Sequence, residues 1–302
     1  MALFEVKKIN PAVMLRDRFI VPPFSYLDTR QSYWIERRGR WKKFIGDLSA
    51  TRDGDFGTLG GSTGNLLSTI NNGTSNFDPV LAEIIYKWFC MDNSKILDPF
   101  GGEQTKGYVA GALGYKYVGC EIRPEQVELN TNTVSDFNDI RYVCGDSNEI
   151  SNLISDRDFN FCFTSPPYYD LEIYSDSDGD ISAFGTYENF INTLKNIFSQ
   201  CYDMLQDDSF CVVKVADIRD KKTGIYRGFV ADTIKFMQDI GFNFYNDIVL
   251  LNSVGTGAIR ANNSMKNRKV VKLHQNILVF YKGDVKNIKD KFPSLDFKEV
   301  LV

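Results

Sequence analysis

The spacing of hydrophobic positions changes at about residue 77. Residues 1–75 have no clear period, whereas short apolar runs then recur at residues 95–97, 116–121, 141–144, 159–163, 210–215, 242–251 and 275–281. Runs this short and almost uninterrupted are the pattern of strands buried on both faces. The stretches between most of them carry helical spacing. Tyr187, Phe190, Ile191, Leu194, Phe198, Cys201 and Leu205 form a 3.6-residue stripe, and a second runs from Phe229 through Ile234, Met237 and Ile240 to a stop at Gly241. Residues 78–89 read as a helix, with Asp78 able to cap it and Pro79 in its first turn. Strands alternating with helices predict an α/β fold, a mostly parallel sheet covered on both sides. The last two runs are joined by a polar loop with no convincing helix, so they are expected to pair antiparallel. The prediction is seven strands, the last antiparallel, in a domain over residues 77–285, with an irregular N-terminal extension (1–76) and a C-terminal tail (286–302).

Composition narrows the class. No apolar run is long enough to cross a bilayer, and the first residues lack the apolar stretch of a signal peptide, so a soluble cytoplasmic protein with no membrane partner is expected. The six cysteines include no Cys-x-x-Cys pair and there is one histidine, His274. They read as reduced core residues, and no metal site is expected. A net charge of −4 argues mildly against a nucleic-acid partner, but the average hides two basic clusters. Arg37, Arg38, Arg40, Lys42 and Lys43 are interleaved with Trp34 and Trp41, and Arg260, Lys266, Arg268, Lys269 and Lys272 lie in a stretch with no acid between Asn252 and Leu273. A solvated face explains either cluster alone. Gly54, Gly57, Gly60, Gly61 and Gly64 suggest a mobile loop without the lysine of a phosphate cradle.

In an open parallel sheet, ligands bind beyond the carboxyl ends of the strands. The first predicted strand runs into Asp98-Pro99-Phe100-Gly101-Gly102-Glu103-Gln104-Thr105 and then a small-residue helix through Ala110 and Ala112. Such a turn lets backbone approach a ligand closely. The second strand ends at Glu121, placed to meet ribose hydroxyls, and the third is followed by Asp146, which can accept from an adenine amino group. Each acid alone can be an ordinary cap. At three successive strand ends they describe a pocket for an adenosine-bearing cofactor.

The fourth strand runs into Thr164-Ser165-Pro166-Pro167-Tyr168. Two prolines stiffen the turn and leave the carbonyls before them free to accept. An exocyclic base amino group is a poor nucleophile because its lone pair is conjugated into the ring. Accepting its hydrogens with Ser165 and the Pro166 carbonyl would free that lone pair by positioning, without a strong base. Tyr168 offers a stacking face for a base taken out of the duplex. Chemistry at cytosine C5 needs a cysteine nucleophile, and this turn has none.

With these motifs, residues 77–283 resemble the DNA methyltransferases that modify N4 of cytosine or N6 of adenine. Asp98-Pro99-Phe100-x-Gly102 is similar to their first cofactor motif, and Glu121 and Asp146 match the next two acidic positions. Thr164 to Tyr168 matches the catalytic turn. Phe77-Asp78-Pro79-Val80-Leu81 resembles the helix closing over the cofactor's methionine end, and Leu273 to Phe280 resembles the last strand. The resemblance implies the S-adenosylmethionine-dependent methyltransferase fold, which is Rossmann-like, with S-adenosylmethionine as cofactor and DNA as partner. It assigns Phe77, Asp98, Phe100, Gly102, Glu121 and Asp146 to the cofactor and Ser165, Pro166, Pro167 and Tyr168 to catalysis. Arg260, Lys266, Arg268, Lys269 and Lys272 would contact DNA. Ser165 at the head of the catalytic turn is similar to the N4-cytosine subset and favours cytosine over adenine. Pro22-Pro23-Phe24 and residues 254–274 are similar to bacteriophage methylases, and the resemblance carries an association with DNA modification and restriction.

One departure stands out. The family has Gly-x-Gly where this chain has Gly102-Glu103-Gln104, so Gln104 is expected to crowd the cofactor and Glu103 to add negative charge near its methionine end. An RNA or protein methyltransferase on the same fold, or a non-catalytic DNA-binding relative, are the alternative readings. Asp176, Asp178 and Asp180 crowd one loop, but the spacing does not make a calcium loop. Asp217 and Lys214 are candidates for the base pocket or ordinary strand-end residues.

Overall fold

The structure is a computed structural model that describes residues 11–45, 77–169, 185–255 and 257–295. Among these, the strands are β1 (Tyr26–Asp28), β2 (Lys95–Asp98), β3 (Lys116–Glu121), β4 (Ile140–Cys144), β5 (Phe159–Thr164), β6 (Leu205–Val215), β7 (Asn243–Leu251) and β8 (His274–Lys282). The helices are α1 (Pro11–Phe19), α2 (Ser32–Ile45), α3 (Pro79–Phe89), α4 (Thr105–Ala112), α5 (Pro124–Thr133), α6 (Ile150–Leu153), α7 (Tyr187–Met204), α8 (Phe229–Ile240), α9 (Gly257–Met265) and α10 (Ile288–Lys291). One sheet holds all the strands in the order β1-β7-β8-β6-β5-β2-β3-β4. The chain winds from β2 through β3 and β4 to one side, then returns through β5 and β6 to the other, so the order reverses between β2 and β5. Their carboxyl ends therefore meet at the topological switch point, where the Rossmann-like architecture opens a crevice. The expected antiparallel strand is β8, which lies between β6 and β7 and runs against both.

Alternation along the strands separates two cores. Ile96, Phe161, Phe163, Val212, Ile277 and Val279 face α2, α3 and α4, while Leu97, Cys162, Cys211, Val213, Leu278 and Phe280 face α7 and α8. The predicted helix starts and stops are present. Asp78 caps α3 by accepting from Val80 N at 3.0 Å, and α8 stops at Gly241, whose φ of 122° suits glycine.

Four regions depart from the sequence reading. The N-terminal segment is not irregular throughout, because β1 adds parallel to β7 as an eighth strand and α2 docks on α3. The buried residues of α2, Trp34, Trp41 and Ile45, are too sparse to register as a period. The polar link between β7 and β8 contains α9. Gly255, Gly257 and the Asn262-Asn263-Ser264 run are poor helix formers, which hid it. Strand β6 starts at Leu205, directly after α7, because residues 206–209 bulge out between the Phe159↔Leu205 and Phe161↔Phe210 pairs. Asp208 there has φ 58° and accepts from Tyr281 OH at 3.1 Å. In the segment read as a tail, Phe292 packs on Phe210 at 5.0 Å between ring centroids. The glycine-rich loop and Asp176, Asp178 and Asp180 lie outside the described residues.

Candidate active site

The turn after β2 is built around Asp98, which is fully buried. Its carboxylate accepts from Phe100 N at 3.1 Å, Tyr117 OH at 2.7 Å and Thr164 Oγ1 at 2.7 Å, and pairs with Lys106 Nζ at 2.5 Å. Lys106 is 3% exposed and also donates to the Phe100 carbonyl at 3.0 Å. Burial first, and the Asp98 charge second, push the Tyr117 hydroxyl well above its ordinary pKa, so it remains a donor. Asp98 thus lies inside the turn as the node that shapes it, without a face to the crevice. Sequence reasoning missed Lys106. The available signal was that a lysine on a small-residue helix, one turn from a strand-end acid, can fold inward.

Gly102 has φ 59°, a left-handed conformation that glycine adopts at no steric cost. Its N–H donates to Glu121 Oε2 at 3.1 Å and its carbonyl accepts from Asn130 Nδ2 at 2.7 Å. Glu121 Oε1 accepts from Arg123 N at 3.1 Å and Arg123 Nε at 2.8 Å. A carboxylate has about four acceptor positions, so one remains at this partly sealed site. Asp146 Oδ1 accepts from Asn148 N at 2.9 Å, and its other oxygen has no donor among the described residues. The acids at the ends of β3 and after β4 therefore keep acceptor capacity, whereas Asp98 does not.

The unusual Glu103 and Gln104 have separate fates. Glu103 Oε1 accepts from Phe77 N at 2.8 Å, and Oε2 accepts from Thr105 N at 2.9 Å and Thr105 Oγ1 at 2.6 Å. Its charge sits at the start of α4, where the helix dipole favours it, and ties that helix to the lead-in of α3. Gln104 is 2% exposed, and its Oε1 is buried with no partner among the described residues. Phe77 lies between two cations, with Lys106 Nζ 5.5 Å and Lys214 Nζ 4.9 Å from its ring centroid. Phe100 packs on Phe198 with centroids 6.3 Å apart.

The turn after β5 meets this one directly through the Thr164–Asp98 hydrogen bond. Ser165 Oγ donates to the Lys214 carbonyl at 3.3 Å, which commits its proton and leaves its lone pairs to accept. Pro166 is buried and Pro167 partly so. The Tyr168 ring stands edge-on to Phe229 at 6.1 Å, and its hydroxyl accepts from Gln275 Nε2 at 3.3 Å. Tyr169 packs between Tyr187 and Phe190, with the Arg227 guanidinium 4.8 Å from its ring centroid. Cys162, the cysteine nearest this turn, is fully buried on the side facing α7 and α8. No cluster able to hold a metal ion occurs among the described residues.

Beside this turn the structure joins two basic segments that are distant in sequence. The first is a hairpin that sequence reasoning missed, closed by the Arg219↔Tyr226 bridge. Asp220 shapes its tip by accepting from Lys222 N and Thr223 N, the Asp-x-x-Thr-Gly turn chemistry legible in Asp220 to Gly224. The second is the β7–β8 link. Lys269 Nζ lies over Gly224, where an added Cβ would stand 2.0 Å from it, and Lys272 Nζ is 5.8 Å from the Tyr226 ring centroid. Partial burial lowers the pKa of Lys272, and burial with the Lys272 charge lowers that of His274, which begins β8. Arg260, Lys266 and Arg268 are exposed. The N-terminal cluster differs, because Arg37 and Arg38 are spent on Glu83 and Asp78.

A family model described as DNA methylase, for N6 and N4 amino-group enzymes, matches residues 159–299. Over this segment the chain is similar to the amino-group DNA methylases. The matched stretch holds the turn after β5, the basic hairpin and β6 to β8, and starts after the turn that follows β2. The Type II beta methyltransferase M.BslI of Bacillus sp. (strain NEB-606) is 27% identical over 118 residues, 36% of this chain and 12% of that protein. The match therefore spans about an eighth of the curated relative. Among solved structures, TrmN from Thermus thermophilus shares 12% identity with a TM-score of 0.47 over 69% of this chain and 50% of its own. A TehB-like SAM-dependent methyltransferase from Corynebacterium glutamicum shares 14% identity with a TM-score of 0.43, over 82% of this chain and 99% of its own.

Proposed function

We propose that the chain binds S-adenosylmethionine at the β2, β3 and β4 ends and transfers its methyl group to the exocyclic amino group of a DNA base, N4 of cytosine in preference to N6 of adenine. The single observation that carries the reading is the Thr164–Asp98 hydrogen bond, which fastens the amino-binding turn to the cofactor turn at the switch point. In this reading the open oxygen of Asp146 accepts from the adenine amino group and the remaining position of Glu121 accepts from a ribose hydroxyl. Phe77 and Phe100 supply apolar walls, and Gly102 lets the backbone approach. Asp98 is a positioning residue. When bound, S-adenosylmethionine supplies an electrophilic methyl on a cationic sulfonium.

The chain's own part is to orient the nucleophile. Ser165 Oγ, its proton held by the Lys214 carbonyl, accepts one amino hydrogen, and the Pro166 carbonyl accepts the other. The lone pair then leaves conjugation and points toward the crevice, and the proton that the methylated nitrogen must shed leaves along its hydrogen bond to Ser165, which is part-exposed, toward solvent. Stiffness matters because the two acceptors must stay in place as charge develops on nitrogen, and Pro166 and Pro167 supply it. Tyr168, braced by Phe229 and Gln275, stacks on the base once it has left the duplex. Lys266, Arg268, Lys269 and Lys272 hold phosphates beside it, and Arg260 contacts the same DNA.

The test is incubation with labelled S-adenosylmethionine and unmethylated DNA, followed by mass spectrometry of the nucleosides. Label in N4-methylcytosine is the expected result. Label in N6-methyladenine would move the target base, and label in RNA or protein with none in DNA would overturn the substrate.

A further inference from the structure

We infer that α9 is the element that reads base edges in the major groove of duplex DNA, with Arg260, Asn262 and Asn263 as the reading side chains. The inference rests on the DNA substrate proposed above and adds where and how the sequence is read.

Helix α9 differs from the helices that cover the sheet. Each of α3, α4, α7 and α8 buries a face against the sheet, whereas every residue of α9 from Ala258 to Asn263 is exposed, with Ser264 half-buried and Met265 exposed. Only Gly257 is buried, at the neck of the loop. An added Cβ there would stand 3.1 Å from the Leu273 side chain, and Asn252 N donates to the Leu273 carbonyl at 2.9 Å. The helix thus projects from a closed neck. It leaves Ile259 and Met265 uncovered, at 69% and 50% exposure. A nine-residue helix without a buried face gains little from tertiary packing, the usual source of helix stability.

The chemistry of the exposed face selects its occupant. Ile259, Asn262 and Asn263 fall at i, i+3 and i+4 and share one stripe, with Arg260 alongside Asn263. Asparagine pairs with the N6 and N7 edge of adenine, arginine with O6 and N7 of guanine, and an apolar side chain contacts the thymine methyl. Lys266, Arg268, Lys269 and Lys272 follow within the same loop, and no acid lies between Asn252 and Leu273. That is the charge expected of a face laid against phosphates, and the major groove is wide enough to admit a helix. The loop is also placed for it. It returns into β8 at His274, next to the Gln275 that holds Tyr168 of the catalytic turn.

The experiment methylates a random-sequence duplex library with the full chain and with Arg260→Ala, Asn262→Ala and Asn263→Ala. Modified positions are read by sequencing, with cofactor affinity and oligomeric state measured on the same preparations. All three residues are exposed, so the variants are expected to fold. The expected result is one short site for the wild type. At least two variants should lose about ten-fold or more at that site and accept a second base at one position, with cofactor affinity unchanged. Wild-type transfer to one site, with the same site and rate within about two-fold in all three variants, would overturn the assignment of α9 alone. So would a change of oligomeric state with unaltered sequence preference, which would make α9 a contact between copies. No transfer to any DNA by the wild type would overturn the substrate reading itself, and this inference with it.

Discussion

Two basic clusters look alike in the sequence and do opposite things in the structure. In α2, Arg37 is 14% exposed and holds a fully buried Glu83 through both nitrogens, while Trp41 Nε1 donates to the same carboxylate at 2.8 Å. Arg38 and Trp34 do the same for Asp78, the cap of α3. These arginines are mortar between two helices. In the β7–β8 link, Arg260, Lys266 and Arg268 face solvent with no carboxylate among the described residues. The lesson is that a run of like charge declares a partner only after internal acids have been counted. Glu83 and Asp78 lie about forty residues downstream of the arginines that use them, at separations of 46 and 40 positions.

The comparison can be broken at its strongest point. Glu83→Ala leaves the Arg37 charge and the Trp41 N–H facing a vacated, buried position. Removing one partner of a buried pair costs about 3–5 kcal/mol, read as a lower urea midpoint. A loss below about 1 kcal/mol would mean that the pair behaves like a surface one. On the other side of the comparison, charge reversal of Lys266, Arg268 and Lys269 to Glu is expected to weaken DNA binding by about a hundred-fold or more at low salt. It should reduce the slope of log affinity against log salt by about 0.9 for each phosphate that is no longer neutralised. Reversal of the two exposed cations should leave the urea midpoint unchanged, so their loss of stability would show that they too serve the fold.

Smaller effects sharpen the picture around the site. Thr164→Val removes one donor from buried Asp98 and is expected to cost about 1–3 kcal/mol, with a larger fall in methyl transfer than in cofactor affinity. Between the buried and the exposed extremes lies Asp156, held by Lys95 Nζ at 2.5 Å and by Arg141. The hydrogen bond from Lys95, then that from Arg141, lowers its carboxyl from 3.8 to about 2. A lowered folded-state value means that its contribution is complete above the unfolded value and fades as pH falls from about 4 to about 2. Asp156→Asn should therefore lose roughly 1 kcal/mol at pH 7, discounted for partial exposure. The deficit against the wild type should shrink measurably between pH 5 and pH 3. A deficit constant over that range would assign the effect to shape instead of charge.

Much of this was legible from residue patterns, and what was not has physical reasons. The β2–β8 strands, the cap at Asp78, the stop at Gly241 and the antiparallel β8 all follow from local chemistry or from near-continuous apolar runs. Helix α9 was hidden because none of the described residues covers it, so it carries no apolar period toward a core. Strand β1 is three residues long and exists through its pairing with β7, a contact more than two hundred positions away. The positions of the candidate site were readable as strand ends. Their internal wiring was not, because it depends on side chains meeting across strands. Lys106 turns inward onto Asp98, and Glu103, which looked like a hazard to the cofactor, instead fastens α4 to Phe77.

The central claim is that the turn from Thr164 to Tyr168 orients an amino group toward a cofactor held by the neighbouring turn. It is tested most directly by measuring S-adenosylmethionine affinity by calorimetry and methyl transfer to DNA on the same preparations of wild type and Pro166→Ala. The account predicts a transfer rate lower by about 10²-fold, because the substitution keeps the carbonyl but removes the ring that fixes it, and misplacement by about 1 Å costs on that scale, with affinity within about three-fold of wild type. Unimpaired transfer by the variant, or no cofactor binding by the wild type at millimolar concentration, would contradict it.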